Sequence, residues 1–368
     1  MNVKIGIIGL VKSGRTTIFN ALTGDEADTG RYTQEGLVPH VAIAKVADPR
    51  LEVLTDILQP KKTVPVSVSY SDIGASIKGL VGDKGIGGQL LNQLSNVDAL
   101  INVVRAFRDD SIPYSEGSLD IERDITTMNL ELVFSDLAII ERRLERIETS
   151  LKGAKQLERQ GLLREQGVLK RIAADLEKDI LIRELELTND EAKMIANFQF
   201  LTAKPLLVVV NIDEGQLPEA ESLETQLNSV HSGPKCQVTT LCGKLEMELA
   251  QLDSDIAEEL RAGYGLTESG LDRVVKLSYK LLGLISFFTI ASSEVKAWPI
   301  QGGTEALKAA GKIHSDMERG FIRAEVISYD DLVKCGGLSE ARRKGLLRTE
   351  GKSYVVQDGD VITFLFNV

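Results

Sequence analysis

Residues Val3 to Thr17 read V-K-I-G-I-I-G-L-V-K-S-G-R-T-T. Val3, Ile5, Ile7 and Ile8 form a short apolar run bounded by glycine, the pattern of a parallel strand covered on both faces. The residues beyond this run fit G-x-x-x-x-G-K-[ST] at Gly9, Gly14 and Thr16, with Arg15 in the lysine slot. Glycine at both ends of the loop permits backbone conformations that turn successive N–H groups toward a polyphosphate. From Thr16 the stretch T-T-I-F-N-A-L-T reads as a helix with Ile18, Phe19 and Leu22 toward the core. Its N-terminus adds partial positive charge to the anion site. An ordinary glycine-rich strand-to-helix turn satisfies the same pattern, so the loop alone leaves that alternative open.

If the loop binds nucleotide, Gly9, Ser13, Gly14, Arg15, Thr16 and Thr17 are its phosphate-binding candidates. Thr16 occupies the position whose hydroxyl holds Mg²⁺. Arg15 keeps the positive charge as a planar fork rather than a compact ammonium. It is expected to clamp phosphate oxygens without reaching the β/γ bridge, and Lys12 is the alternative source of an ammonium. Asp72 closes a strand expected over Val66–Tyr70, where an acid can order a water on Mg²⁺. Thr16 and Asp72 are therefore the metal candidates, and Arg15, Lys12 and Asp72 the catalytic ones.

Strand-like runs recur at Ala99–Val104 and Pro205–Val210, with a weaker one at Gln237–Leu241. Helical patterns separate them, which predicts an α/β domain with a doubly wound, mostly parallel sheet. Between them, Leu130, Val133, Leu137, Ile140, Leu144, Ile147 and Leu151 keep a heptad seam flanked by charge. Gly153, Gly161 and Gly167 then interrupt, and a second helix carries Leu169, Ile172, Leu176 and Ile180. This predicts an antiparallel helical hairpin over 119–204, inserted between the segments 1–118 and 205–283 of the nucleotide-binding domain. A pair of ordinary core-covering helices is the alternative.

From 284 to 368 the texture is α+β. Strand-like pieces at Ser286–Ile290, Val295–Trp298, Ile322–Ile327, Tyr354–Val356 and Val361–Phe366 surround one expected helix, Thr304 to Ile313. Eleven Lys/Arg balance eleven Asp/Glu in this stretch. Arg342, Arg343, Lys344, Arg348 and Lys352 cluster there, as a polyanion contact or equally as a solvated helix face.

Composition excludes several classes. Hydrophobic residues are 43% of the 368 and no apolar run reaches the length of a membrane span. The first strand begins almost at the N-terminus, so no signal peptide is expected. Cys236, Cys242 and Cys335 form neither a disulfide framework nor a C-x-x-C zinc pattern, which suits a reducing cytoplasm. The net charge of −11 gives no whole-protein basic field, so any RNA contact must be a local patch.

Other nucleotide-site elements sit at the ends of the expected strands. Asp72-Ile73-Gly74-Ala75 stands where many P-loop GTPases have D-x-x-G, and Gly79, Gly82, Gly85, Gly87 and Gly88 extend it as a glycine-rich loop. That loop suits a nucleotide-sensing switch or a plain surface loop. Asn211-Ile212-Asp213-Glu214 stands where a guanine-specific protein has N-K-x-D. The longer acid at Glu214 should weaken the fit to guanine. Cys242-Gly243-Lys244 supplies a base-edge loop, so Asn211, Glu214, Cys242, Gly243 and Lys244 complete the nucleotide-contact candidates.

These motifs together resemble the YchF type of Obg-like P-loop ATPases over nearly the whole chain. The residues are G-L-V-K-S-G-R-T-T-I-F-N-A-L at Gly9–Leu22, D-P-R-L at Asp48–Leu51, Asp72–Leu91, N-I-D-E at Asn211–Glu214 and K-L-E-M-E-L at Lys244–Leu249. V-K-A-W at Val295–Trp298, the run Ala309–Val326, and V-Q-D-G-D-V at Val356–Val361 are similar to that family's TGS module. The resemblance implies a P-loop domain, a helical-hairpin insert and a ubiquitin-like TGS domain at 284–368. It also implies Mg²⁺-dependent binding and slow hydrolysis of ATP, often GTP as well, and association with ribosome or RNA through the TGS domain. Oligomeric state is left open.

The sequence departs from that pattern at Arg15, Lys12, Ser13, Ala75 and Ser76. Gly36 falls where the family's switch threonine is expected, with Thr33 the nearest hydroxyl, and Pro113-Tyr114 falls where a histidine is common. Two functions remain: a slow ATPase/GTPase switch, or a hydrolysis-deficient adaptor that senses nucleotide and binds partners through its TGS domain or helical hairpin. A small-molecule kinase lacks any lid or substrate signature.

Overall fold

The computed structural model describes residues 3–23, 40–73, 88–114, 117–291 and 293–367. Thr33, Gly36, Ala75, Ser76 and the glycine-rich loop up to Gly87 lie outside the described residues.

Among the described residues, seven strands precede the C-terminal region: β1 (Val3–Gly9), β2 (His40–Lys45), β3 (Lys62–Val64), β4 (Ser67–Asp72), β5 (Ala99–Arg105), β6 (Leu206–Asn211) and β7 (Cys236–Leu241). Six of them form one sheet in the order β2-β4-β1-β5-β6-β7. β1/β5, β5/β6 and β6/β7 pair in parallel. β1, β5 and β6 are buried almost throughout, as a sheet covered on both faces requires. The first helix, α1 (Arg15–Thr23), comes after β1 and buries Ile18, Phe19 and Leu22 as its spacing predicts.

The chain divides into two compact units. One is built chiefly of Lys4–Ala42 and Ser69–Val274, the other chiefly of Ile43–Val68 and Val275–Val368. The division differs from the expected segments, because Ile43–Val68 groups with the C-terminal region. A short strand explains the grouping: β3 pairs in parallel with β9 (Glu294–Gln301) at Lys62/Glu294 through Val64/Lys296. Three residues are too few for a readable strand pattern, and only the partner strand makes them one.

The second sheet contains β8 (Leu284–Ala291), β9, β10 (Phe321–Ser328), β11 (Arg348–Glu350) and β12 (Asp360–Phe366), in the order β11-β10-β12-β8-β9-β3. The strand expected at Tyr354–Val356 is only a single bridge, Glu305 to Val355. The single helix expected there is Ala306–Ile313, and three more short helices accompany it: Ser315–Arg319, Tyr329–Cys335 and Leu338–Arg343. Ser328 caps the second of these by accepting from the Asp331 N–H, a local signal that hydrophobic periodicity does not carry. Phe287, Ile300, Ala309, Phe321, Val326 and Phe364 make the core of this unit.

Within the same unit, helix α2 (Pro49–Leu58) starts on an Asp48 cap whose carboxylate accepts from the Arg50 N–H. Arg50 also bonds Asp48 Oδ2 at 2.8 Å and Asp358 Oδ2 at 2.9 Å, and its guanidinium lies 5.5 Å from the Phe288 ring centre. Hydrogen bonding to Asp48, then to Asp358, holds its pKa above the ordinary arginine value against the opposing cost of burial. The D-P-R-L and V-Q-D-G-D-V motifs, about 300 residues apart, thus meet in one ion-pair cluster.

In the other unit, α3 (Gly88–Ser95) precedes β5, and α4 (Ile121–Leu151) and α5 (Gln156–Leu176) come after it. Arg143 of α4 holds Glu165 of α5 at 2.7 Å, and Arg159 of α5 donates to the Leu151 carbonyl at 3.1 Å. As the first partner advances the second retreats, so the two helices are antiparallel. Val133, Ile140, Ile147, Leu169, Ile172 and Leu176 are buried between them. Two expectations need correction. α5 begins before Gly161 and runs through both Gly161 and Gly167, whose missing side chains face open space. Packing against α4 outweighs the roughly 1 kcal/mol that each glycine costs a helix. Leu130, which opens the heptad pattern, is exposed, and so is Ile180 beyond the end of α5.

Candidate functional site

The site grows from the ends of β1, β4, β6 and β7. After β1 the chain turns through Gly9–Gly14 into α1. Gly9 is forced by space: a side chain there would press the Val103 carbonyl and the Ser13 hydroxyl. Gly14 has φ of 85° and would meet the Asn211 amide. Lys12 adopts φ of 65° without being glycine, a conformation that costs on the order of 1 kcal/mol. It is exposed and among the described residues forms no ion pair. Thr17 lies half-buried in the first turn of α1.

Asn211 ties the loops together. Its amide donates to the Ser13 carbonyl at 3.1 Å, while its side-chain oxygen accepts from the Gly243 N–H at 3.0 Å. Gly243 is close-packed too, since a side chain would meet Ile18 and Asn211. The Gly9–Gly14 loop and the Cys242–Gly243 loop are therefore held by one residue at the end of β6. Cys242 precedes helix Gly243–Leu249 and is buried, which pushes its thiol pKa up.

Glu214 faces the exposed edge of this assembly. Lys244 Nζ lies 3.5 Å from one carboxylate oxygen, and the Tyr264 hydroxyl donates to the other at 3.3 Å. The Glu214 charge raises the pKa of both partners, through a hydrogen bond to Lys244 and through its field at Tyr264. Asp213 precedes the turn Glu214–Glu219, its N–H donating to Gln216 Oε1 at 2.9 Å and its carboxylate accepting from the Arg108 N–H at 3.3 Å. Tyr264 carries no signal in the sequence; only folding brings it to Glu214.

Arg15, Thr16 and Asp72 meet one another. Arg15 Nε donates to Asp72 Oδ1 at 2.5 Å, and Thr16 Oγ1 donates to Asp72 Oδ2 at 3.0 Å. Arg15 and Asp72 are only 7% and 4% exposed. The arginine expected on the phosphates is thus anchored by one nitrogen to the aspartate expected on the metal. A hydroxyl and a carboxylate are suitable donors for Mg²⁺, and they are adjacent here. The carboxylate, however, already carries a cation. A divalent ion drawn to Asp72 would have to share that carboxylate with a buried guanidinium, and like charges on one carboxylate repel. In this arrangement the residues do not fit the metal.

Arg105, at the end of β5, is a site residue that sequence reasoning missed. Its guanidinium lies 4.5 Å from the ring centres of both Phe107 and Tyr114, and it donates to the carbonyls of Phe107, Asp109 and Ile112. The signal was an arginine ending the apolar run A-L-I-N-V-V-R. It fixes Tyr114 beside the phosphate loop, in a small cleft shared with Leu10, Val11 and Ser13.

Against known proteins, a family model for YchF-GTPase_C, "Protein of unknown function (DUF933)", matches residues 284–367. The chain is 40% identical to the "Ribosome-binding ATPase YchF" of Bacillus subtilis (strain 168) and 36% identical to the protein of that name from Escherichia coli O157:H7, each over the full length of both chains. It is also similar to a solved structure of the Schizosaccharomyces pombe YchF GTPase, with a TM-score of 0.83 and 29% identity over 99% of this chain and 98% of that one. With a phosphate loop after β1, a mostly parallel sheet, a C-terminal domain and end-to-end identity of this order, the chain is an α/β P-loop NTPase by fold and belongs to the YchF family.

Proposed function

We propose that this chain binds a purine nucleotide at Gly9–Thr17 and that it associates with the ribosome; its bacterial relatives are named ribosome-binding ATPases. The observation that carries the reading is Asn211, whose side chain braces the phosphate loop against the Cys242–Gly243 loop. A phosphate cradle and a base-edge loop held in register by one buried side chain suit a nucleotide and little else. Lys12 and the positive end of α1 supply charge for the phosphates. Glu214, flanked by Lys244 and Tyr264, faces the base with a longer arm than the aspartate a guanine-specific protein uses. ATP is accordingly bound at least as well as GTP.

Hydrolysis is slow or absent. Arg15 is engaged by Asp72, and Tyr114 is stacked on Arg105 where the family commonly has a histidine. These observations favour the second reading, an adaptor that binds nucleotide and partner without turnover. Two measurements separate the readings: ATP and GTP titration, then turnover on the same preparation. GTP binding more than about tenfold tighter, about 1.4 kcal/mol, would overturn the base preference. Measurable turnover, even slow, would overturn the adaptor and restore the slow-NTPase reading.

We keep the functional modules as 1–118 with 205–283 for the nucleotide, 119–204 as the helical hairpin and 284–368 as a TGS domain facing the ribosome or RNA. A cytoplasmic location follows from a ribosomal partner, and among the described residues no helix is long and apolar enough to cross a membrane.

A further inference from the structure

We propose that Arg15 is a built-in counter-cation that takes the place of the divalent metal, so that this chain binds a nucleoside triphosphate as well without Mg²⁺ as with it. The proposal rests on the nucleotide-binding reading above and deepens it.

Both oxygens of Asp72 are already used. One accepts from Arg15 Nε and the other from Thr16 Oγ1. The two protein groups suited to a metal therefore satisfy each other, with a fixed positive charge between the loop and the strand. The pair is buried, so pulling Asp72 toward a metal would leave a guanidinium unpaired in a place with little water to screen it.

The choice of arginine over lysine gives the arrangement its sense. A guanidinium presents five N–H donors in a rigid fork, whereas an ammonium is a compact point charge. Among the described residues, hydrogen bonding engages only Nε of Arg15. Its two terminal amino groups remain for an anion while the same side chain holds the carboxylate. A lysine in this slot would follow the phosphates and release Asp72. Lys12, exposed in the same loop, supplies the second positive charge that a metal-free polyphosphate needs.

The test is calorimetric titration of the full-length chain with AMP-PNP, in excess Mg²⁺ and in excess EDTA. The dissociation constants are expected to agree within about threefold. In the Arg15→Lys variant, removing the metal is expected to weaken binding by about tenfold or more, because Asp72 is then free. A loss of about tenfold or more for the unaltered chain in EDTA overturns the proposal and leaves the nucleotide reading standing. A variant that binds but stays indifferent to metal overturns the assignment to Arg15. No binding in either buffer overturns the nucleotide reading, and this inference with it. The comparison on the unaltered chain decides the metal question even if the variant does not fold.

Discussion

Arg15 shows how one side chain changes the meaning of a motif. The glycines and Thr16 keep the phosphate loop, while the arginine redirects its charge into Asp72. Removing one partner of such a buried pair strands the other. Arg15→Ala is therefore expected to lower stability by about 3–5 kcal/mol, measured by urea unfolding, and adding Asp72→Asn should recover part of the loss. Asp136 is a second case. It is fully buried and accepts from the Leu201 and Thr202 N–H groups and the Thr202 hydroxyl. Burial outweighs those donors and raises its pKa from 3.8 to about 6. A raised carboxyl pKa means that the folded chain holds the proton more tightly, so this contribution is present below about pH 4 and lost as pH rises through about 6. The stability of the unaltered chain relative to Asp136→Asn should fall by on the order of 3 kcal/mol across that window. A flat difference would show that the three donors hold the carboxylate ionised throughout.

Among the elements, the helical pair has the plainest energetics. Leu169 and Ile172 of α5 are fully buried in the cluster that joins it to α4. Leu169→Ala is expected to cost about 2–5 kcal/mol, read as a shift in the urea midpoint. The neighbouring Arg143–Glu165 pair is partly exposed, and Glu165→Ala should cost no more than about 1 kcal/mol. A larger cost for Glu165 than for Leu169 would mean that charge, not packing, holds the hairpin. The heptad spacing was legible because it repeats through most of a long helix. The start of α5 was not, because two glycines mask a helix whose stability comes from the facing seam.

At the scale of the molecule, the early segment that joins the C-terminal unit matters most. Arg50 bonds Asp48 and Asp358 together, and Asp358 in turn accepts from the Ser286 N–H at 2.9 Å. Arg50→Ala should lower the stability of this unit by about 1–3 kcal/mol, as loss of a charge-assisted hydrogen bond does. Arg50→Lys should recover little, because an ammonium cannot fork between the two carboxylates. Hydrogen exchange in β8 and β12 is the check. The basic cluster reads differently in three dimensions than in the sequence. Arg342 pairs with Glu325, Arg343 and Lys344 with Glu340, and Arg348 with Glu350 and Asp360. Replacing Arg342, Arg343 and Lys344 by alanine should change ribosome co-sedimentation by less than about fivefold, since exposed charges already paired contribute at most about 1 kcal/mol. A larger loss, with a shallower salt dependence, would place the polyanion contact on helix Leu338–Arg343.

By itself the sequence determined what depends on local pattern. The strand–loop–helix of Val3–Thr23, the buried runs that became β5, β6 and β7, and the heptad of α4 come from periodicity and from glycine where backbone freedom is needed. So did the candidate residues, which β1, β4, β6 and β7 deliver to one end of the sheet. Only the tertiary structure decided which partners those residues take. Nothing along the chain says that Arg15 turns to Asp72, that Asn211 bridges Ser13 and Gly243, or that Tyr264 reaches Glu214. Nor does it say that Lys62–Val64 is a strand of the C-terminal sheet. The reason is physical. A charged or amide side chain is satisfied by whichever group folding brings within hydrogen-bond reach, and a three-residue strand exists only while its neighbour does.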